Sequence, residues 1–373
     1  MGALSALGTD VNAHLAAVRG KVVPFRPLGG LLGTDNPHAK RPGAWIENRA
    51  ALTHRKWSPV TMAALHVAGQ AISEAGWNAD DLRDAALVVG TSRGNAAGWL
   101  GPWPGRRPFK LMAASNTIHS EPAAAISIVH GMPGPNQVLA SGCSAGLDAI
   151  GVAMMMVHCG IAPRALAVAV DLPLVPLLLD NYAQSGLLAP TFDLDPYAPD
   201  TAGFVPGEGA AAMAIAADHR PTGLTVLHYG CNADACDPVG IPASGGRTPE
   251  LLEKASAACG LPSAACPHAT GTAVQAKADP AVFRAAFAAD QMPTLHLIKP
   301  FTGHTIGASG LLESVILAAF MRGGTLPPNL PGRHTPEGMD LPSDEIPCHG
   351  AAVKVSHGMG GHNAALTIGT SIP

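Results

Sequence analysis

Apolar residues occur along the chain in short runs typical of buried strands and in longer runs typical of helices. Residues 60–77 form one longer run, which follows Ser58 and Pro59 and contains Gly76 near its end. A serine able to cap, a proline at the first helical position and a glycine near the stop predict a helix here. Four short runs are apolar at nearly every position, which predicts strands covered on both faces: residues 85–90, 138–140, 164–170 and 210–215.

A long apolar run and two similar short segments indicate an internal repeat. Residues 145–159 are apolar around nearly the whole circumference of a helix, which predicts a helix buried on all sides. Residues 141–146 (Ser-Gly-Cys-Ser-Ala-Gly) and 302–307 (Thr-Gly-His-Thr-Ile-Gly) each place a reactive side chain just before a long apolar helix. We therefore predict two copies of one αβ unit that join near residues 218–223. The further predicted elements are strands at 224–229 and 295–298 and helices at 249–259, 281–288 and 309–321.

The composition is that of a folded protein with a large core. Of the 373 residues, 47% are hydrophobic, 13% are charged and 4% are aromatic, whereas 43 are glycine. This balance excludes a disordered chain and predicts helices and sheets that pack closely through small residues. The net charge of −4, with no basic run longer than Arg106-Arg107, argues against nucleic-acid and membrane partners.

The sequence shows neither a membrane span nor a secretion signal. No apolar stretch reaches the roughly 18 to 20 residues that cross a bilayer, and the first residues lack a basic segment, so we expect a cytoplasmic protein. The seven cysteines are an odd number, which favours free thiols over a disulfide framework. Cys231 and Cys236 are closely spaced, but no second ligand pair completes a zinc site, so we expect no metal.

Cys143 lies between a predicted strand and a predicted buried helix. A thiol at a helix N-terminus faces partial positive charge, which predicts a lowered pKa. Gly142 and Gly146 leave the backbone open to a substrate, and the context resembles a nucleophile elbow without its Gly-x-Ser-x-Gly form. Two interpretations stay open: a nucleophile that forms thioesters, or a small buried side chain.

Two of the sixteen histidines differ from the rest in their surroundings. His268 and His304 each follow a strand-like apolar stretch and are surrounded by small and hydroxyl-bearing residues. That composition is typical of concave, crowded sites, whereas an ordinary histidine lies in a polar loop. Both are therefore candidate site residues.

Five segments in this order resemble the β-ketoacyl synthases of the thiolase superfamily. The resemblance implies a thiolase-like five-layer αβαβα fold of two pseudo-repeated halves, with mixed sheets around buried helices. Its halves would span residues 1–218, with the cysteine, and residues 219–373, with both histidines. The Cys, His, His set is similar to the elongating branch. The segments are 141–146, 203–210 (Gly-Phe-Val-Pro-Gly-Glu-Gly-Ala), 268–272 (His-Ala-Thr-Gly-Thr), 299–304 (Lys-Pro-Phe-Thr-Gly-His) and 356–363 (Ser-His-Gly-Met-Gly-Gly-His-Asn).

The resemblance also implies a mechanism. Cys143 would take an acyl chain from a carrier thioester, with its own N–H and that of Met359 as the oxyanion hole. The extender, a malonyl thioester, would lose carbon dioxide while His268 and His304 stabilise the enolate that attacks the acyl group.

Four further residues match supporting positions of the family. Lys299 and Glu313 would form a pair that orients the histidines, although Glu313 also fits a plain buried salt bridge. Thr270 and Thr272 would contact the phosphopantetheine arm, although both hydroxyls also fit bonds within their loop.

The same resemblance implies an acyl carrier protein as partner. It also implies a homodimer, or a heterodimer with a second ketosynthase-like subunit, and no cofactor beyond the carrier's phosphopantetheine. A non-catalytic partner similar to chain-length factors is one alternative, and the retained Cys143 argues against it. A non-elongating acyltransferase or thiolase-like enzyme is another, and His304 in its Gly-His-Thr setting argues against thiolases.

The chain departs from the family pattern at several positions. Met359 stands where a gatekeeping Phe is usual, which predicts an unusual acyl substrate, polyunsaturated or aromatic, as in specialised polyketide pathways. Ala202 and residues 276–277 replace acidic positions, so some internal bracing has changed. Residues 1–8 resemble the turn after the first strand of the fold, so we expect that strand to be missing, most simply through a misplaced start.

Overall fold

Two five-stranded mixed sheets frame the protein in the computed structural model, which describes residues 1–100, 115–217 and 223–370. Two short ribbons lie outside them: β2 (Arg26–Pro27) with β3 (Pro42–Gly43), and β11 (Thr325–Leu326) with β12 (Ile346–Pro347). The first sheet contains β1 (Gly2–Ser5), β4 (Ala85–Gly90), β5 (Asn136–Leu139), β6 (Arg164–Asp171) and β7 (Gly209–Ala216). The second contains β8 (Leu224–Ala233), β9 (Ala264–Cys266), β10 (Thr294–Leu295), β13 (Ala351–Gly358) and β14 (His362–Thr370).

The two sheets have the same topology. The first runs in the order β5-β4-β6-β7-β1 and the second in the order β10-β9-β13-β14-β8. In each, the first three strands are parallel and the next two pairings are antiparallel. The predicted repetition of one αβ unit is confirmed. The predicted boundary between residues 218 and 219 lies outside the described residues and stays a prediction.

The helices complete a five-layer arrangement. α3 and α6 cover the outer face of the first sheet, α7 and α12 lie between the sheets, and α9 and α10 cover the outer face of the second. The helices are α1 (Val11–Arg19), α2 (Gly29–Leu32), α3 (Pro59–Ala75), α4 (Ala79–Arg83), α5 (Ala96–Leu100), α6 (Glu121–His130), α7 (Ala145–His158), α8 (Pro176–Gln184), α9 (Thr248–Cys259), α10 (Gln275–Ala286), α11 (Lys299–Thr302) and α12 (Ser309–Arg322).

The two central helices cross where glycine replaces a side chain. A methyl group on Gly146 would lie 2.6 Å from the amide nitrogen of Leu311, and one on Gly310 would lie 2.9 Å from that of Leu147. Backbone meets backbone at this crossing, as the small-residue composition predicts. α12 is buried from its first residue to Met321. The predicted burial of residues 145–159 on all sides is wrong for the last turns of α7, because one face there reaches solvent.

The strand expected to be missing is present. β1 pairs antiparallel with β7 over four residues, with Gly2 opposite Ala212 and Ser5 opposite Gly209. Its segment, Gly-Ala-Leu-Ser, is too short and too rich in small residues to resemble a strand. A side chain at Gly2 would lie 2.3 Å from the carbonyl oxygen of Val67, so packing against α3 favours these small residues.

The observed helix boundaries agree with the predicted ones in some places and differ in others. The Ser58 side chain accepts the N–H of Thr61 and Gly76 ends α3 with φ of 65°, as predicted. α10 starts earlier than the predicted helix at 281–288, because Pro280 lies inside it rather than before it. The sequence patterns predicted no strand at β9, β13 or β14 and no helix at α1, α4, α6 or α8. None of the helices in the described ranges is long and apolar enough to cross a membrane.

Candidate active site

Cys143 lies in a single 3₁₀ turn, Gly142–Ser144, between β5 and α7. Gly142 has φ of 63°, a conformation that glycine adopts without strain. The Ser144 hydroxyl lies within 3.4 Å of the carbonyl oxygens of Ser356 and His362, which ties this turn to the hairpin of β13 and β14. The Cys143 side chain is 7% exposed.

The structure brings the three predicted reactive side chains together. The Cys143 sulfur lies 3.3 Å from Nε2 of His304. This sulfur and one ring nitrogen from each of His268 and His304 all lie within 4.8 Å of one another. Among the described residues no fourth metal-binding side chain joins this group, and a structural zinc ion requires four ligands. The expected absence of a metal stays a prediction.

Burial controls the ionisation of the thiol. It raises the pKa of Cys143 to about 11, although the charges of Lys299 and Arg93 oppose the rise. The predicted lowering of the Cys143 pKa is therefore wrong for the net shift, because burial outweighs the neighbouring positive charges. A thiol with this pKa is protonated at neutral pH, so it needs a base in contact when it attacks. His304 is in that position.

His304 is oriented by a serine that the sequence reading did not identify. Its Nδ1 lies 3.0 Å from Oγ of Ser309, the first residue of α12, and this oxygen also accepts the N–H of Thr305. When Nδ1 carries the ring proton and donates it to Ser309 Oγ, Nε2 is free to take the proton of Cys143. When the Ser309 hydroxyl donates to Nδ1 instead, Nε2 carries the proton and can donate to a substrate oxygen. Burial, followed by the charge of Lys299, holds the pKa of His304 well below its usual value, so the ring is neutral.

His268 follows β9 and points a free nitrogen into the protein. Its Nδ1 is buried without a hydrogen-bond partner among the described residues. Burial and then Lys299 hold the pKa of His268 far below its usual value. One of the two ring nitrogens of His268 lies within 4.8 Å of the thiol, where a substrate oxygen would contact it.

A third buried histidine belongs to the same cluster. The ring of His357, on β13, lies 5.5 Å from that of His268 between centroids. Its Nδ1 accepts from the Gln275 amide at 2.8 Å, so its Nε2 donates to the Thr248 hydroxyl at 3.0 Å. Burial lowers its pKa to about 3. Both nitrogens are occupied, so His357 supports its neighbour and is not free for a substrate.

A buried ion cluster lies beneath the histidines. Lys299 Nζ lies 2.8 Å from Glu313 Oε1, the pairing suggested by the sequence, and Lys354 Nζ lies 2.7 Å from Oε2 of the same carboxylate. All three side chains are at most 1% exposed. Lys354 also donates to the carbonyl of Pro267, next to His268. Burial opposes ionisation of Glu313, but the two lysines hold its pKa below the usual value.

The two threonines predicted to hold phosphopantetheine bond within their loop. Their hydroxyl oxygens, on Thr270 and Thr272, lie 3.3 Å apart, and that of Thr272 accepts the N–H of Gln275. This is the loop-stabilising role considered as the alternative. Contact with phosphopantetheine stays a prediction.

Asp171 connects two loops of the site and was not identified from the sequence. Its carboxylate, at the end of β6, accepts the backbone N–H groups of Ser92, Arg93 and Gly307 at 2.8 to 2.9 Å. The Thr91 hydroxyl is its fourth donor. Asp171 thereby holds the turn after His304 against the loop after β4.

The turn that joins β13 and β14 lies beside the Cys143 turn. The Cα of Gly358 would lie 3.9 Å from a Cβ placed on Gly142. Met359, in the same turn, is 43% exposed, and its side chain does not belong to the described apolar cluster around Cys143. Its roles as oxyanion donor and gate stay predictions.

His362, a departure from the family pattern, braces this region. Its Nε2 lies 2.9 Å from Asp148, a buried carboxylate of α7 that also accepts from the Tyr229 hydroxyl at 2.8 Å and from Ser141. The bond to Asp148 raises the pKa of His362. The bracing links the end of the hairpin to the residue two positions before Cys143.

We expect this bond to stabilise the fold in a pH-dependent manner. Because the pKa of His362 is higher in the folded chain, its contribution is complete below the unfolded value of about 6.5 and is lost as pH rises through the folded value. The difference in unfolding free energy between the wild type and His362→Asn should therefore be larger at pH 5.5 than at pH 9. Urea unfolding at both pH values measures it.

The difference between the wild type and His362→Asn reports the contribution of His362 alone. The buried histidines with lowered pKa values destabilise both proteins equally at acid pH, so they cancel in the difference. The control is His349→Asn at an exposed position, for which the difference should not change with pH. An equal effect of His362→Asn at both pH values would contradict the expectation.

Sequence comparisons connect this site to known proteins. Residues 38–219 match the family model "Beta-ketoacyl synthase, N-terminal domain", and residues 224–333 match "Beta-ketoacyl synthase, C-terminal domain". The 3-oxoacyl-[acyl-carrier-protein] synthase 2 of Rhizobium meliloti is 26% identical, with 87% of this chain and 83% of that protein covered. Polyketide synthase ThaG of Burkholderia thailandensis is 30% identical over 74% of this chain. The matched region is 5% of the length of ThaG.

Solved structures share the fold. The complex titled "AntDE:AntF (apo): type II PKS acyl-carrier protein in complex with its ketosynthase bound to the hexaketide" contains a chain with a TM-score of 0.87 and 19% identity, with 99% of this chain and 97% of that chain covered. "The ishigamide ketosynthase/chain length factor" has a TM-score of 0.85 and 21% identity, with 100% and 98% covered. The five-layer arrangement is therefore the thiolase fold of ketosynthases.

Proposed function

This chain belongs to the β-ketoacyl synthase family, and we propose that it condenses acyl groups with malonyl units through a thioester on Cys143. The observation that carries the proposal is the buried convergence of one thiol and two neutral imidazoles within 4.8 Å. Acyl transfer requires a nucleophile with a base in contact, and condensation requires donors for an enolate oxygen. This one cluster contains both.

In the first half-reaction, His304 takes the proton of Cys143 across the 3.3 Å contact as the sulfur attacks the carbonyl of an acyl thioester. The C–S bond to the carrier breaks, and the carrier thiolate leaves with that proton. The N–H groups of Cys143 and Met359 would hold the oxyanion between these steps. The acyl group is then attached to Cys143.

In the second half-reaction, a malonyl thioester loses carbon dioxide and the electron pair moves into an enolate. The lowered pKa values of His268 and His304 keep both rings neutral. Each ring then donates its one N–H to the enolate oxygen, His304 from Nε2. The enolate carbon attacks the acyl carbon, the C–S bond to Cys143 breaks, and the Cys143 thiolate leaves and takes a proton from solvent. The buried pair of Lys299 and Glu313 positions the two histidines.

The partners follow from the same proposal. The acyl and malonyl groups arrive on the phosphopantetheine of an acyl carrier protein, whose arm Thr270 and Thr272 contact, and no other cofactor takes part. One relative is named for acyl-carrier-protein substrates, and one structural neighbour is titled as a carrier–ketosynthase complex, which supports this partner. The enzyme acts in the cytoplasm as a homodimer or with a second ketosynthase-like subunit, and its halves span residues 1–218 and 219–373.

Intact-protein mass spectrometry tests the proposal. The protein is mixed with acyl carrier thioesters of different chain length, and we expect a single adduct with the mass of the acyl group, located on the peptide that contains Cys143. Addition of malonyl carrier thioester should discharge the adduct and release a 3-oxoacyl product. No adduct with any donor would overturn the proposal and favour a non-catalytic partner subunit.

A further inference from the structure

Cys143 belongs to a buried apolar cluster. Its buried members include Leu178, Leu179, Leu188, Phe204 and Ile306. Ile306 has φ of 50°, which is strained for a β-branched residue, and this conformation directs the chain between His304 and α12. In the proposed function the acyl chain on Cys143 packs against this cluster.

The cluster leads from the reactive residues to polar groups. The ring of Phe204 lies 5.1 Å from that of His304, and the ring of Tyr182 lies 5.4 Å from that of Phe204, between centroids. The Arg93 guanidinium lies 5.9 Å from the Tyr182 ring centroid. The end of the cluster therefore carries a cation and a phenol.

Within the described part of the chain, these two groups have no close polar neighbour other than each other. Tyr182 is 2% exposed and its hydroxyl is buried without a hydrogen-bond partner, and Nε of Arg93 is buried in the same condition. Arg93 forms no ion pair with a described carboxylate. The carboxylate of Asp171 accepts from four other donors, one of which is the backbone N–H of Arg93.

Arg93 as a whole is half-buried, but its Nε and the Tyr182 hydroxyl have lost water without gaining a close hydrogen bond, which is costly in an apolar setting. A cavity of about 80 Å³ borders the same cluster: it is lined by Leu174 and Val175 of the cluster and by Gly94, the residue that follows Arg93 in sequence. The charges on its far wall, Arg49 and Glu208, are already paired with each other.

We propose that the acyl group accepted by Cys143 carries a carboxylate at its far end, which Arg93 and Tyr182 bind. This inference rests on the proposed function and assigns its substrate class. Guanidinium binds carboxylate through two parallel hydrogen bonds, and the phenol O–H supplies another donor. A saturated chain, or the polyunsaturated or aromatic chain suggested by Met359, would leave both groups unpaired. The proximity of Arg93 is also evident in its lowering effect on the pKa of Cys143.

The acylation half-reaction tests this directly, because it contains no malonyl donor whose own carboxylate could interact with Arg93. Pantetheine thioesters of linear dicarboxylic acids with four to ten carbons are compared with the saturated acids of equal length and with the corresponding methyl ketones. We expect the best dicarboxylic donor to acylate Cys143 roughly tenfold or more faster than its saturated match. Rates come from intact masses over time.

Two variants remove one group each. Arg93→Met keeps length and removes charge, and it should bring the ratio of the dicarboxylic to the saturated acylation rate down to about one, whatever its effect on the absolute rates through the Cys143 pKa. Tyr182→Phe should reduce the preference several-fold. Arg247→Met, at an exposed arginine paired with Glu250, is the control and should keep the wild-type preference.

The outcomes separate the two proposals. A wild type that reacts best with saturated or ketone donors at every length overturns the inference and leaves the proposed function standing. An unchanged carboxylate preference in both Arg93→Met and Tyr182→Phe also overturns it. No adduct with any donor contradicts the proposed function itself.

Discussion

Replacing Cys143 with alanine is expected to abolish the acyl adduct and to lower condensation roughly 10³-fold or more. The methyl group cannot accept an acyl chain, and no other side chain takes its place: of the described residues, Cys143 alone places a thiol within 4.8 Å of both His268 and His304. The effect is measured as adduct mass and as 3-oxoacyl product formed from acyl and malonyl carrier thioesters.

The same variant should retain one partial reaction. Decarboxylation of the malonyl thioester depends on hydrogen bonds from His268 and His304, which the substitution does not remove. Carbon dioxide release without condensation is therefore expected from Cys143→Ala. His268→Ala should show the reverse, with adduct formation retained and decarboxylation lost.

The control is Cys159→Ala, which removes an exposed thiol at the end of α7 and should behave as the wild type. It reports any adduct that forms on accessible thiols without catalysis. Persistence of the adduct in Cys143→Ala, together with its loss in Cys159→Ala, would contradict the assignment of the nucleophile.

Glu313→Gln is expected to destabilise the fold by about 3 to 5 kcal/mol, because it leaves two buried lysines without their carboxylate. Lys299 and Lys354 lie 2.8 and 2.7 Å from this side chain and are fully buried. Glutamine has a similar shape, so the effect isolates charge from volume. The free energy of unfolding is measured by urea denaturation at pH 7.

The pH dependence provides an independent check. The pKa of Glu313 is lowered in the folded chain, so its contribution is present above the unfolded value and is lost as pH falls through the folded value. The difference in free energy of unfolding between the wild type and Glu313→Gln should therefore become smaller as the pH is lowered.

Glu250→Gln is the matched control, since it removes the same charge from an exposed pair with Arg247 and should leave the midpoint unchanged. Equal midpoints for Glu313→Gln and the wild type would show that the buried cluster contributes nothing to stability. Loss of activity with unchanged stability would assign Glu313 to positioning of the histidines alone.

Local patterns predicted much of the fold. Ser58, Pro59 and Gly76 act within one helix, so their effects are visible in a short window, and α3 begins and ends as they indicate. Long apolar runs predicted the central strands for the same reason. β1 was missed because its strand character comes from pairing with β7, more than 200 positions away in sequence.

Some residues of the site were also predictable from local sequence, and others were not. Cys143, His268 and His304 were recognisable as candidates because small and hydroxyl residues adjoin each of them in sequence. Ser309, Lys354 and other supporting residues were not, because nothing in their own segments marks their role. Lys354 in particular lies in an apolar stretch and pairs with a carboxylate from a helix 41 positions earlier.

By itself, the sequence determined the repeated αβ rhythm, the family to which the chain belongs and the identity of three reactive side chains. The tertiary structure alone decided their environment: the 3.3 Å contact of Cys143 with His304, the raised pKa of the thiol and the unpaired Arg93 at the end of the apolar cluster. The physical reason is that burial and electrostatic interaction depend on distances in space. Those distances are set by segments that meet only when both sheets have closed around the central helices.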